Sequence, residues 1–332
     1  MPYFSVIVPV YNRRGEVQEL LQSLAQQSFT DFETIIVEDG STEPCRDIVE
    51  SFADRLTVQY HYKSNEGRSI ARNHGIENAR GDYFIFFDSD CVIPQDYFKV
   101  LKSELEQRFT PCFGGPDAAS PDFNHLQKAI SFAMTSFLTT GGIRGGKVQL
   151  EKFTPRSFNM GFSRQVWETV GGFREMFSED IDISTRIRQA GFEMRLIREA
   201  YVYHKRRNTL GSFARQTHVF GQSRITLKLL YPQSLKAVHC LPAVFTIGCA
   251  ALVLLAIFWR WWAIVPIVLY ALMLFVAALV SSRSLKVACL AVPASFIQLI
   301  SYGSGFIRAY VWKILLRHGR DLEQEIAIRK GK

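Results

Sequence analysis

The sequence predicts an α/β protein: a mostly parallel, Rossmann-like sheet followed by an α-helical membrane region. Three observations lead there. Over residues 4–87, short runs of β-forming apolar residues alternate with segments of helical period. The strand-like runs end in polar loops instead of tight hairpin turns. Residues 237–316 are overwhelmingly apolar, whereas 1–236 have the composition of a soluble domain.

Residues 4–10, FSVIVPV, read as a first buried strand leaving into Tyr11-Asn12-Arg13. Residues 14–26 have helical spacing, with Val17, Leu20, Leu21 and Leu24 on one face. A second strand, 32–37, ends in Glu38-Asp39-Gly40-Ser41, and 45–52 form a second helix. A third strand, 56–62, is followed by Asn65-Glu66-Gly67, which turns into a helix over 68–78. The fourth strand, 83–87, is YFIFF and stops at Asp88-Ser89-Asp90. This order implies right-handed crossovers and parallel pairing, with ligands bound at the carboxyl ends of the strands. No GxGxxG or Walker pattern follows the first strand, which argues against a dinucleotide-binding oxidoreductase or a P-loop NTPase.

Residues 110–157 carry weaker signals. FGGP at 113–116 reads as a strand exit. Gly141, Gly142, Gly145 and Gly146 surround Arg144, before Lys147, in either a mobile loop over an acceptor site or an ordinary surface loop. Residues 158–163 form a strand leading into a helix over 164–170, which Gly171-Gly172 breaks. Ser178 with Glu179, Asp180 and Asp182 opens a helix to about 190, good N-terminal chemistry in itself. The apolar-aromatic run 200–203 ends in His204. Residues 213–230 read as a basic amphipathic helix, lying on a membrane surface or packed on the domain.

The chain of 332 residues carries a net charge of +8. Arg195, Arg198, Lys205, Arg206, Arg207, Arg215, Arg224, Lys228 and Lys236 crowd the stretch before the apolar region. That placement fits an anionic membrane surface or a phosphorylated substrate better than nucleic acid. Six cysteines without a CxxC pair argue against a disulfide framework or structural zinc and fit a reducing compartment. The N-terminal apolar run is short and lacks a basic flank, so it reads as a strand and not a signal peptide. Residues 239–258 and 261–280 are long enough to span a bilayer, and 285–306 is a third, weaker segment. Trp259-Arg260-Trp261-Trp262 suits an interfacial turn. Arg283 and Lys286 favour a cytoplasmic domain at the inner membrane, while the basic tail 317–332 leaves the third segment's topology open.

Asp88 and Asp90 stand two positions apart, so continued extension would point both the same way. Two hard oxygen ligands there suit Mg²⁺ or Mn²⁺, although Asp-Ser-Asp is also good turn chemistry. Glu179, Asp180 and Asp182 are separated by about 100° per residue on a helix and cannot all face one cleft.

In their order and spacing, SVIVPVYNR, IIVEDGS, NEGRSIARNHGI and GDYFIFFDSD resemble the nucleotide-binding half of family-2 glycosyltransferases, which have the GT-A fold. The resemblance runs on through NMGFSRQVWETVGGFRE and SEDIDISTRIRQAGF to His204. It implies a UDP-, GDP- or dTDP-sugar donor held by Pro9, Val10, Tyr11, Asn12, Asp39, Arg72, Asp88 and Ser89. It implies a divalent cation, Mn²⁺ or Mg²⁺, on Asp90 with Asp88 and His204. It makes Asp180 the general base, with Glu179 positioning the acceptor or the loop and Asp182 structural. Glu38 departs from the aspartate usual at that place but keeps its charge.

Together with the apolar segments, the resemblance implies a membrane-anchored inverting glycosyltransferase acting on a hydroxyl of a lipid-linked or membrane-proximal glycan, as in O-antigen, capsule or exopolysaccharide assembly. The QxxRW pattern of processive synthases is absent. A polyprenyl-phosphate glycosyltransferase and a non-catalytic sugar-nucleotide-binding subunit are the alternatives. The expected division is a catalytic domain at 1–210 (nucleotide-sugar half 1–100, acceptor half 101–210), an interfacial helix at 211–236, membrane segments within 237–316 and a basic tail.

Overall fold

The computed structural model describes residues 3–118, 123–141, 153–205 and 207–316. They form two compact units, 3–118 with 153–205 and 123–141 with 207–316. The glycine-rich stretch from Gly142 to Lys147 and the tail 317–332 lie outside the described residues.

In the first unit, β1 (Phe4–Val10), α1 (Arg14–Leu24), β2 (Phe32–Asp39), α2 (Arg46–Glu50), β3 (Val58–Lys63), α3 (Arg68–Glu77) and β4 (Tyr83–Phe87) alternate as expected. Next come β5 (Cys91–Val92), α4 (Tyr97–Gln107), β6 (Cys112–Gly114) and β7 (Asp117–Ala118). The chain then contributes α5 (His125–Thr135) and α6 (Phe137–Thr140) to the second unit. It returns with β8 (Asn159–Ser163), α7 (Arg164–Val170), α8 (Glu179–Gln189), β9 (Met194–Leu196) and β10 (Val202–His204).

Seven strands form the main sheet in the order β3-β2-β1-β4-β8-β6-β9. The first four are parallel, β8 runs antiparallel to both β4 and β6, and β9 is parallel to β6. Side-chain alternation divides the core. Val6, Val8, Ile36, Ile85 and Phe87 meet α1, α2 and α4 on one face, through Leu20, Val49 and Phe98 among others. Ile7, Ile35, Phe84 and Phe86 meet α3, α7 and α8 on the other, through Ile76, Val166 and Ile183. Covering both faces explains why β1 and β4 read as near-continuous apolar runs and not as alternating ones.

A second sheet of three short strands, β5-β10-β7, was not foreseen. Its register pairs Tyr203 with Val92 and His204 with Cys91. Strands of two or three residues have no period to detect.

The second unit continues with α9 (Leu210–Leu230), α10 (Ala237–Phe258), α11 (Val265–Ser282) and α12 (Leu285–Tyr310), which runs on into a π-helical turn at Val311–Leu315. Among the described residues three stretches are long and apolar enough to cross a membrane: Ala237–Phe258, Trp261–Ser282 and Leu285–Leu315. α12 packs against α5, α9, α10 and α11.

The expected amphipathic surface helix is α9, and it differs from that expectation. Its buried positions are Phe213, Thr217, Gly221, Ser223, Ile225 and Leu227, a mixed set and not an apolar stripe. It lies along α12 because small residues let the backbones approach. A Cβ on Gly221 would collide with the Tyr302 carbonyl, and one on Gly305 with that of His218. His218 Nδ1 lies 3.1 Å from Ser304 Oγ, and Lys313 Nζ donates to Thr226 Oγ1 at 2.7 Å.

Candidate active site

The polar end of β4 does not continue as a strand. The Cys91 N–H donates to the Asp88 carbonyl at 3.1 Å, closing a turn over Asp88-Ser89-Asp90-Cys91. Asp88 and Asp90 therefore come together through a turn, a correction to the extended geometry expected. Ser89 is buried within it. β10 brings the third group: the Lys205 N–H donates to the Asp90 carbonyl at 3.1 Å, continuing the pairing of His204 with Cys91. His204 Nε2 then lies 3.0 Å from Asp90 Oδ1 and 4.0 Å from Asp88 Oδ2. The imidazole stacks on Phe158, ring centroids 4.7 Å apart.

Asp90, Cys91 and His204 have ligand atoms within 4.8 Å of one another. Cys91 is the poor member of that group. Burial, then Asp88 and Asp90, push its thiol pKa well above the ordinary range, which disfavours the thiolate. Asp88, with 33% of its side chain exposed, offers a better third oxygen. Two carboxylates and an imidazole fit a divalent cation such as Mn²⁺.

Arg72 is neither a surface arginine nor open to solvent. It is fully buried, donating from Nη1 to Glu179 Oε1 at 2.9 Å and from Nη2 to Asp88 Oδ1 at 2.7 Å. Its guanidinium carbon lies 5.4 Å from the Phe173 ring centroid. Glu179 is equally enclosed, with Oε2 accepting from Arg68 Nη2 at 2.8 Å and Oε1 also within 3.4 Å of Ser157 Oγ. Partial desolvation works against the Arg68 charge, its side chain being still 48% exposed, but Glu179, Asp88 and Asp180 outweigh it and hold the guanidinium pKa up. The result is a chain of ion pairs joining the end of β4 to the first turn of α8.

Asp180 follows on α8. Its side chain is 15% exposed and its Oδ2 accepts from Arg156 Nη1 at 3.3 Å. Its Oδ1 accepts from the Ile181 N–H at 2.8 Å. Asp182 turns away into Arg174 and Arg186, at 3.2 and 3.0 Å. Ser178 makes no side-chain cap and sits in the left-handed region at φ 69°. The expected Ser178 cap is therefore not formed.

The loops after β1 and β2 are tied together. The Asn12 N–H donates to Ser41 Oγ at 2.7 Å, and Asn12 Oδ1 accepts from the Thr42 N–H and hydroxyl at 2.8 and 3.0 Å. Glu38 accepts from Ser41 Oγ and from the Cys45 N–H, so its carboxylate builds the turn. Asp39 is buried and holds the β3–α3 loop: it accepts from Lys63 Nζ at 2.9 Å and from the backbone of Glu66 and Gly67 at 3.0 and 2.9 Å. Pro9 pairs with Val37 inside the sheet, Val10 is buried, and the Tyr11 ring is half exposed.

Sequence reasoning did not single out Lys63, Arg68, Arg156 or Ser157. Arg68 was within reach, because it lies one helical turn before Arg72 and shares its face. Nothing around Arg156 marked it.

A sheet of this order, with carboxylates and a histidine gathered at the end of its fourth strand, defines a GT-A fold. A family model for glycosyl transferase family 2 matches residues 5–177, just over half of the chain, and the chain belongs to that family. The uncharacterized glycosyltransferase EpsJ of Bacillus subtilis is 38% identical over 108 residues, 32% of this chain and 31% of its own. An uncharacterized glycosyltransferase of Haemophilus influenzae is 37% identical over 142 residues, 42% of this chain and 57% of its own. Validoxylamine A glucosyltransferase of Streptomyces hygroscopicus is 26% identical over 234 residues, 60% of this chain and 55% of its own. The first curated relatives matched are covered over only 14% to 33% of their lengths. Among solved structures, the mannosyltransferase PcManGT of Pyrobaculum calidifontis, in complex with GDP-Man and Mn²⁺, superposes with a TM-score of 0.58 at 18% identity, covering 94% of this chain and 88% of that one.

Proposed function

We propose that the chain is a membrane-anchored inverting glycosyltransferase, moving a sugar from a nucleotide-sugar to a hydroxyl of a lipid-linked or membrane-proximal glycan. The observation that carries this reading is the ion-pair chain Asp88–Arg72–Glu179, which ties the carboxylate turn of β4 to the helix bearing Asp180. Asp90 and His204, with Asp88 beside them, would hold Mn²⁺ or Mg²⁺. Bound there, the cation supplies Lewis-acid neutralisation of the leaving diphosphate. Asp180 accepts the proton of the acceptor hydroxyl, and Arg156 orients its carboxylate. Arg72 and Glu179 act through their neighbours, by fixing Asp88 and the start of α8. Asn12 and Asp39 shape the loops that receive the nucleoside, and the exposed Tyr11 ring offers it a stacking face.

A glucosyltransferase among the relatives and a mannosyltransferase neighbour held with GDP-Man and Mn²⁺ support a hexosyl donor and a divalent cation. The three apolar helices support anchoring, and Arg283 between α11 and α12, with Lys286 in the first turn of α12, favours the cytoplasmic face of the inner membrane.

The test is a donor screen on detergent-purified protein with UDP-, GDP- and dTDP-sugars, Mn²⁺ or Mg²⁺, and lipid extract from its own source. Sugar transfer onto an existing lipid-linked glycan is the expected result. Transfer to an acid-labile lipid monophosphate would replace this reading with a polyprenyl-phosphate glycosyltransferase. Metal-dependent nucleotide binding without turnover of any donor would replace it with a binding subunit.

A further inference from the structure

Between β7 and β8 the chain leaves the sheet, and residues 123–141 pack with the apolar helices. We propose that α5 and α6 form a re-entrant membrane insertion whose tip, at Phe137, meets lipid acyl chains inside the bilayer. The inference rests on the anchoring reading above and adds a fourth membrane element, drawn from the middle of the catalytic sequence.

Its polarity is graded. Asn124 caps α5 in a reciprocal box with Gln127, and His125 and Lys128 are exposed at its start. From 129 to 143 the sequence has no charged residue, a run of 15. Crossing a bilayer takes about 20 apolar residues, and runs of this shorter length suit a segment that dips in and returns.

Its packing sets its depth. Ala129 shares a buried cluster with Ala278 of α11 and with Val287, Ala288 and Ala291 of α12. Ile130, Ala133 and Met134 continue the contact at Ala294. Further along, the Tyr270 hydroxyl donates to the Leu138 carbonyl of α6 at 2.8 Å. Tyr270 is the tenth residue of the 22-residue stretch Trp261–Ser282. At about 1.5 Å per residue it stands about 18 Å from the Ser282 end. In a hydrocarbon core about 30 Å thick that is near the middle, whichever end faces which side.

Its three threonine hydroxyls meet the demand of a medium without water, where polar groups are satisfied internally. Thr135 Oγ1 donates to the Ser131 carbonyl at 2.8 Å, Thr139 Oγ1 to that of Ala133 at 2.6 Å, and Thr140 Oγ1 to that of Ser136 at 3.1 Å. Phe137, 72% exposed, faces outward from this tip.

The experiment uses the full chain in nanodiscs containing phosphatidylcholine with a diazirine midway along one acyl chain. After photolysis, adducts are mapped by peptide mass spectrometry. Adducts on residues 129–141, strongest at Phe137, are expected alongside adducts on α10 and α11. Labelled α10 and α11 with an unlabelled 129–141 would overturn the insertion while leaving the anchoring intact. Absence of adducts on all of these would overturn both.

Discussion

Arg72 of α3 and Glu179 of α8, 107 residues apart in the chain, meet at 2.9 Å with neither side chain open to solvent. The same guanidinium holds Asp88 from its other terminal nitrogen. A buried ion pair is tolerated only while complete, and removing one partner strands the other. Arg72→Met should therefore cost about 3–5 kcal/mol of stability, read from denaturant unfolding. Adding Glu179→Gln should recover part of that loss, because the pair is coupled. Arg72→Lys should not restore the native stability, since one ammonium cannot span both carboxylates. Unchanged unfolding in Arg72→Met would show that the bridge is incidental.

Much of the sheet was legible. The apolar runs at Phe4–Val10 and Tyr83–Phe87 match β1 and β4 residue for residue, because burial on both faces leaves a plain signal. The three-strand sheet was not legible, since β5, β7 and β10 depend on partners distant in the chain. The site divides in the same way. Asp88, Asp90 and His204 were marked by their motifs, and the structure gathers them. The enclosure of Arg72 and Glu179 was hidden, because it arises from side chains 107 residues apart that no local pattern links. Asp39 was marked among the residues holding the donor, while the bonds its carboxylate accepts from Lys63 and the loop backbone, all downstream of it, were not.

The proposed cation seat predicts a contrast among neighbours. Asp90→Asn and His204→Ala should each weaken Mn²⁺ binding by at least about tenfold, measured from free-ion electron paramagnetic resonance. Cys91→Ser should leave it unchanged, because the thiol is buried and its surroundings disfavour the thiolate. A loss confined to Cys91→Ser would move the seat to the sulfur.

His61 and His74 form a pair away from this site, with His74 Nε2 3.2 Å from His61 Nδ1. Burial, and then His74, lower the His61 pKa below its ordinary 6.5. Below that ordinary value the unfolded chain binds more protons at this position, so stability falls as the pH drops. His61→Gln should flatten the pH dependence of Tm between about pH 7 and 5. An equally steep profile in the variant would assign the effect elsewhere.

Glu175 carries the opposite sign. Burial, only partly offset by the polar groups of the adjacent Ser69, raises its carboxyl above the ordinary 4.5. The folded chain then binds the extra proton, and stability is lost as the pH rises through the folded value. Glu175→Gln should raise Tm at neutral pH and leave it unchanged below pH 4.5. A lower Tm at neutral pH would show that the carboxylate is needed there.

The most direct measurement follows sugar transfer and donor binding together in wild type and Asp180→Asn, with the donor and lipid acceptor found by the screen. The replacement keeps the shape of the side chain and removes its basicity. Donor affinity should stay within about twofold, while transfer falls by about 10²–10⁴, the range of a general base. Transfer at the wild-type rate in Asp180→Asn would contradict the assignment of this helix as the seat of proton abstraction.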